Sequence, residues 1–363
     1  MTKLLGTLLS FIFFIPLMAQ EPEKRIVKKD SSNKYTDSIR SLPPLEIRSI
    51  RVSEQAPFAK TNISKAQIAL NNVGQDLPFL LENTPSVVVH ADAGIGVGYT
   101  GIRIRGTDAT RINFTLNGIP YNDPESMGTF FVNIPDFGSS VNSIQIQRGV
   151  GTSTNGAGAF GASVNLMTNE YNPTSYLSLQ NTAGSFNSFK NNLVFGSGLM
   201  NNKFTIDGRV SSITSDGFID RASSDLFGYY FDANYITKNT IIKAIAFGGK
   251  EKTYQAWNGL EDEEKLKNDR TYNSAGQYTD EFGNTQFYDN ETDNYWQNHF
   301  QLHWNEKLTS KWQSNLALHY TLGKGYFEQY REDEFFSDYL LPDFNGNSFT
   351  DLVRKRWLDN DFF

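Results

Sequence analysis

From Tyr176 onward the sequence runs in stretches of about ten residues in which apolar and polar side chains alternate. The clearest stretch is Trp296 to Asn305. Trp296, Phe300, Leu302 and Trp304 fall on one face, and Gln297, His299, Gln301, His303 and Asn305 on the other. Trp312, Leu316, Leu318, Tyr320 and Leu322 repeat the pattern against Gln313, Asn315, His319 and Thr321. Phe204, Ile206 and Val210 oppose Thr205, Asp207 and Arg209, while Phe227, Tyr229, Phe231 and Tyr235 form a further aromatic face. A period of two is that of a β-strand, whose successive side chains point to opposite faces. The second face is decidedly polar, which fits barrel strands that are apolar outside and polar inside. Roughly seven to nine such strands are expected.

The ends and the composition limit where such a sheet can live. Lys3, the apolar run Leu4 to Met18 and then Ala19-Gln20 have the form of a secretory signal peptide over residues 1–19. No other run is long and apolar enough for a spanning helix, so a membrane location requires a β-barrel. The chain has no cysteine, which excludes disulfides, lipoprotein anchoring and cysteine-ligated metal sites. A net charge of −7 argues against nucleic acid as partner. The hydrophobic fraction of 39 %, with much Gly, Tyr, Phe and Asn, suits a barrel with aromatic girdles and equally a soluble all-β domain.

Ahead of the long strands, Tyr99 to Leu166 holds three shorter alternating runs: Ile102 to Arg105, Ile112 to Leu116 and Ile144 to Arg148. They stop at Gly106, at Asn117-Gly118 and at Gly149. Asn-Gly supplies the pair of positive φ angles that a tight hairpin needs. Taken by periodicity alone, this is a small mixed β domain.

In order along the chain, Ile104-Arg105-Gly106, Leu116-Asn117-Gly118-Ile119-Pro120, Ser143 to Gly149 and the Gly-rich turn 156–161 leading into Ala162 to Leu166 resemble the plug domain of TonB-dependent outer-membrane receptors. Gln145 stands where that family usually has glutamate. The resemblance implies a mixed α+β plug followed by antiparallel strands of a 22-strand type of barrel. It also implies TonB-powered uptake of a scarce ligand across the bacterial outer membrane, by default a ferric siderophore or other iron chelate. Cobalamin or an oligosaccharide stands as an alternative, as does a passive small-barrel surface protein or adhesin. No covalent chemistry and no cofactor are implied; the partners are a periplasmic TonB-type protein, the ligand and outer-membrane lipid.

The expected organisation is a signal peptide (1–19), a flexible linker (20–44), a candidate TonB box (45–52), a plug (53–172) and the N-terminal portion of a barrel (173–363). The linker is polar and aperiodic, and too short for an added signalling or carboxypeptidase-like domain. Leu45, Glu46, Ile47, Arg48, Ser49, Ile50, Arg51 and Val52 alternate and resemble the TonB box by position, where pairing would proceed by strand addition. Their period fits an ordinary first strand of the plug as well. Ser64 is a candidate N-cap of a short helix over 64–70, and a second helical piece is expected over 76–82. The resemblance assigns Arg105 and Arg148 to ion pairs with acidic residues of the barrel wall; by residue type alone they are also ordinary solvated arginines at strand ends. It places Asp92 and Tyr99 in one outward loop, and Tyr121, Asn122, Asp123, Glu125, Phe130 and Phe131 in another, as ligand contacts. An acidic insertion between Lys250 and Asp293 is expected to be an extracellular loop. His299 and His303 stand about 13 Å apart on a strand at ~3.3 Å per residue, too far to share a metal. About eight strands close a barrel filled by its own side chains, whereas plugged barrels have about twenty-two. The chain is therefore expected to be a piece of a longer receptor.

Overall fold

The computed structural model of the protein describes residues 51–53, 55–151, 158–260 and 262–362, the last four of them by backbone alone. The expected signal peptide, the linker and residues 45–50 of the candidate TonB box lie outside the described residues.

β1 (Lys60–Ser64) leads into α1 (Lys65–Asn71), where Ser64 and Gln67 form a reciprocal capping box. Ser64 N–H donates to Gln67 Oε1 at 2.8 Å. α2 (Leu77–Leu80) is a single turn opened by proline at its second position. β2 (Val87–Ala91) pairs with β3 (Thr100–Ile104). The chain then makes β4 (Ile112–Leu116), β5 (Ile119–Pro120), β6 (Val141–Arg148) and β7 (Ala162–Thr168). With β1 these form a five-stranded sheet in the order β1-β6-β7-β4-β5, in which only β4 and β7 are parallel. The Asn-Gly hairpin is present: Asn117 and Gly118 have φ of 54° and 84° between β4 and β5. Arg105-Gly106 repeats that geometry after β3, with φ of 53° and 78°. One sheet face buries Ile144, Ile146, Val164, Leu166 and Phe114 against Leu77, Leu80 and Leu81 of the α2 region. The other buries Gln145, Gln147, Ser163 and Asn165, whose polar groups require partners.

Part of that requirement is met by the chain entering the domain. Val52 N–H donates to Gln145 Oε1 at 2.8 Å, and Gln145 Nε2 returns a bond to the Val52 carbonyl at 3.1 Å. The Arg51 guanidinium donates to Ser143 Oγ, Ser143 O and the Asn165 carbonyl at 2.8–3.0 Å. The Gln145 position thus holds an amide that both gives and accepts, a task closed to an ionised glutamate.

The second half is one antiparallel sheet. Its strands are β8 (Tyr176–Gly184), β9 (Ser188–Gly196), β10 (Phe204–Ser215), β11 (Ser224–Ile236) and β12 (Thr240–Tyr254). α3 (Glu263–Asn268) and a small hairpin of β13 (Gln277–Thr279) and β14 (Thr285–Phe287) interrupt it. β15 (Thr292–Lys307), β16 (Gln313–Phe335) and β17 (Phe349–Phe362) complete it. The eight long strands lie in sequence order, with β8 and β17 as the two edges of an open sheet. Connections at one end (197–203, 237–239, 308–312) are short; the other end carries 216–223, 255–291 and 336–348.

Burial in this sheet is inverted relative to a soluble protein. The polar residues Gln301, His303 and Asn305 are buried, whereas Trp296, Phe300, Leu302 and Trp304 are each more than 40 % exposed. Thr205, Asp207 and Arg209 are likewise buried while Phe204 and Ile206 are exposed. The smaller domain covers the polar face. The insertion is narrower than expected: β12 continues to Tyr254 and β15 starts at Thr292, so Glu251, Thr253 and Asp293 are strand residues.

Candidate functional site

The turn at residues 131–140 seats the smaller domain on the sheet. Asp136 occupies the left-handed region (φ 53°), which aspartate tolerates better than most residues. Its fully buried carboxylate lies 2.5 Å from Lys190 Nζ of β9. Oδ2 is 3.2 Å from Arg209 Nη1 of β10 but off the hydrogen-bonding direction, so that contact is Coulombic. Arg209 also donates to Ser140 Oγ at 2.8 Å and to the Pro135 carbonyl at 3.2 Å. Close by, Lys243 Nζ donates to the Asn169 carbonyl at 2.7 Å, and Asn117 Nδ2 to Gln301 Oε1 at 3.1 Å. Phe137 packs on Phe247 with ring centroids 5.0 Å apart. Gly228 and Gly249 of the wall admit the turn: a Cβ on either would stand 2.4 Å from Pro135 O or 2.3 Å from Pro135 Cδ.

The ion pairs across this interface place the acid on the smaller domain and the bases on the wall. Arg148 Nη1 donates to the Pro85 carbonyl at 3.1 Å, inside its own domain. Arg105 is exposed in its turn, with Nη1 against Gly149. Among the described residues neither arginine forms an ion pair with the larger sheet. Gly149 has φ 92°, and a side chain there would also collide with Arg105.

Nearer the long-loop end, a cavity of about 400 Å³ opens between residues 119–130 and the inward faces of β12, β15 and β16. Of the loop residues expected at a ligand, Tyr99, Tyr121, Asn122, Asp123, Glu125 and Phe130 line it. Asp92 is not in the lining; it stands on loop 91–99, whose Ala93 carbonyl accepts from Phe218 N–H of the 216–223 connection at 2.8 Å. Phe131 is buried in the core, edge-on to Phe114 at 5.1 Å, and its neighbour Phe130 alone faces out. Asn122 and Asp123 serve the loop itself. Asn122 bonds Phe114 N, Ile112 O and Met127 O at 2.8–2.9 Å. Asp123 Oδ1 accepts the N–H groups of Glu125 and Ser126 at 3.0 and 2.6 Å.

Wall residues at the two ends of the insertion complete the site. Tyr99 OH reaches Asp293 Oδ2 of β15 and, at 3.4 Å, Glu251 Oε1 of β12. Burial and these two carboxyls push the Tyr99 hydroxyl well above its ordinary pKa, so it stays a donor. Burial likewise raises Tyr121 and Asp92. Asp76 lies behind the lining, accepting from Thr100 Oγ1 at 3.0 Å, and burial raises it to about 7. His299 bonds Thr321 Oγ1 and Gln297 Oε1, each at 3.0 Å, and stacks on Phe247 at 4.7 Å. His303 bonds Gln301 Oε1 at 3.2 Å. Among the described residues no three His, Cys, Asp or Glu side chains are grouped to hold a metal.

Residues 52–163 match the family model of the TonB-dependent receptor plug domain. This segment is such a plug, and the larger antiparallel sheet against it has the fold of part of a TonB-dependent receptor barrel, left open here. The chain is similar in fold to the ferric-catecholate import receptor Fiu from Escherichia coli K12 in its open form, at 13 % identity and a TM-score of 0.58, covering 84 % of this chain and 45 % of that one. It is similar to Pseudomonas aeruginosa FpvA bound to heterologous pyoverdines, at 13 % identity and a TM-score of 0.57, covering 83 % and 38 %. It is also similar to the unliganded ferric citrate transporter FecA, at 17 % identity and a TM-score of 0.56, covering 76 % and 43 %. The chain therefore spans less than half the length of each. No curated protein sequence matches it.

Proposed function

We propose that the protein is a TonB-dependent importer of the bacterial outer membrane that takes up a ferric siderophore or another iron chelate. The observation that carries this reading is the inverted sheet, with its polar face covered by a plug and its aromatic face bare, and a cavity between the two. An aromatic outer face suits lipid, and β16, at 23 residues, exceeds the ~9–11 needed to cross a bilayer. Short turns face the periplasm and long connections the outside; the cavity and loop 91–99 then open outward. Solved neighbours described as ferric-catecholate, pyoverdine and ferric citrate receptors support iron chelates as cargo.

In this reading residues 1–19 direct export, 20–44 are a linker, 45–52 are the TonB box, 53–172 the plug and 173–363 the first barrel strands. The TonB-type protein adds a strand to residues 45–52 and pulls. Residues 51 and 52 are stitched to β6 and β7 through Gln145, Ser143 and Asn165, so the pull reaches the centre of the plug sheet. No step makes or breaks a covalent bond. Arg105 and Arg148 remain candidates for further plug–barrel contacts. The test is growth of a deletion strain on single iron sources under iron limitation. Loss of growth on one chelate is expected, restored by the intact gene but not by one lacking residues 45–52. Unchanged growth on every iron source overturns the iron reading.

A further inference from the structure

The described lining of the cavity holds Asp123, Glu125, Glu251 and Asp293 and neither lysine nor arginine. Asp123 is occupied by its own turn. Among the described residues Glu251 has no backbone donor of that kind, and Asp293 accepts from the Asn294 backbone N–H. Both are buried, at 1 % and 8 % exposure, and form no ion pair with any described residue. Lys250 and Lys252 flank Glu251 in sequence but stand exposed on the other face of β12. Arg331 and Arg354, further along β16 and β17, are held by Gln329 Oε1 and lie outside the lining. Tyr99 OH touches both carboxyls yet has one proton to give, so it satisfies one of them at a time. Glu251 Oε2 is buried without a hydrogen bond of good geometry, although the Thr253 hydroxyl stands close enough to interact with this carboxyl.

Burying an ionised carboxyl is costly, and the partner that best offsets the cost of its charge is a cation with several N–H bonds. An ammonium brings three donors, enough for Glu251 Oε2 and Asp293 together. Tyr99, Tyr121 and Tyr295 border the same space, and their ring faces attract a cation as well. The absence of a grouped metal-ligand set among the described residues favours an organic cation over a bare metal ion.

We propose that this cavity receives a cationic arm of the ligand, a primary ammonium or a guanidinium, paired with Glu251 and Asp293. The inference rests on the iron-chelate reading above and selects within it: the preferred chelate carries a positively charged arm, and anionic chelates are disfavoured. The site sits at the interface of plug and wall, so an occupant bridges the two.

The test measures binding of three radiolabelled ferric trihydroxamates to the full-length protein in outer-membrane vesicles. One carries a free terminal ammonium, the second has it N-acetylated, the third N-succinylated. The ammonium form is expected to bind roughly tenfold to a hundredfold more tightly than the acetyl form, the range of a hydrogen bond to a charged group, and the succinyl form most weakly. In Glu251→Gln and Asp293→Asn the ratio of ammonium to acetyl affinity should shrink toward one. The three-way comparison uses unsubstituted protein, so it does not depend on a variant folding. Equal binding of all three, or tighter binding of the succinyl form, overturns the inference and leaves iron-chelate uptake standing. Failure of all three to bind overturns it too, and the growth test then decides separately whether iron chelates are the cargo.

Discussion

Replacing Asp136 by asparagine removes one negative charge from a site where two positive ones are buried. The side chains of Lys190 and Arg209 are 3 % and 2 % exposed, and Asp136 is the acid both meet. Asparagine keeps the shape and tolerates the left-handed φ of 53°. Its amide can still place an oxygen near Asn72 Nδ2 and Ser139 Oγ, which lie 3.2 and 2.7 Å from Oδ1. Its NH₂ group would then face Arg209, donor against donor. Removing one partner of a buried ion pair costs about 3–5 kcal/mol, and every ~1.4 kcal/mol is tenfold in an equilibrium. Plug seating should therefore weaken by about two to three and a half powers of ten. The assay is the urea midpoint for release of plug protection from protease, in full-length protein in detergent. A triple variant with Asp136→Asn, Lys190→Met and Arg209→Met buries no uncompensated charge and should recover most of the loss, since whole-pair replacement is often near neutral. If Asp136→Asn shifts the midpoint by less than ~1 kcal/mol, or the triple variant is as weak as the single one, the charge argument is wrong.

In Gln145→Glu the amide donor to the Val52 carbonyl and to Asn62 Oδ1, at 3.1 and 3.0 Å, is lost. The expected cost is about 1–3 kcal/mol, read as faster proteolysis near residue 52 at neutral pH that slows as acid protonates the glutamate; cleavage indifferent to the substitution would count against the stitching of residues 51–52. Asp76 gives plug stability a pH slope. Burial raises its carboxyl from 3.8 to about 7 in the fold, so its contribution is whole below about 4 and is lost as pH climbs through 7. The difference is at most about 4 kcal/mol; Asp76→Asn should flatten the melting temperature between pH 4 and 8, and a slope that survives it assigns the effect elsewhere.

Much of this architecture is legible in the alternation. The split of Trp296 to Asn305 into two faces is the split between bare and covered surface, because a strand's period of two leaves each side chain only two directions. Asn117-Gly118 and the Ser64 cap are equally local, and both stand where short-range chemistry puts them. The seating of the plug is different. Asp136 sits in an aperiodic turn, and its partners lie on strands 54 and 73 residues away by the numbering of Lys190 and Arg209; no local signal joins them. The resemblance points to Arg105 and Arg148, which the Asp136 pairs neither replace nor exclude; their described contacts stay within the plug or face solvent. Glu251 and Asp293 stand at the two ends of the segment that contains the acidic run Glu261 to Glu264, and that run makes the adjoining strand ends resemble loop. In Phe130-Phe131 two adjacent aromatics part ways, one to the cavity and one to the core, which composition does not reveal.

The glycines under Pro135 let the plug turn lie directly on the backbone of the wall. Neither Gly228 nor Gly249 needs an unusual φ, so it is the missing side chain that matters there. Interlocked side chains would hold a moving part by shape, and it could leave only by prising them open. A smooth seat fixed by a few charges holds by attraction instead, in the manner of a catch on a sliding drawer. Beside that seat the hold is of another kind, because Phe137 packs against Tyr230 and Phe247 of the wall and would have to be prised off.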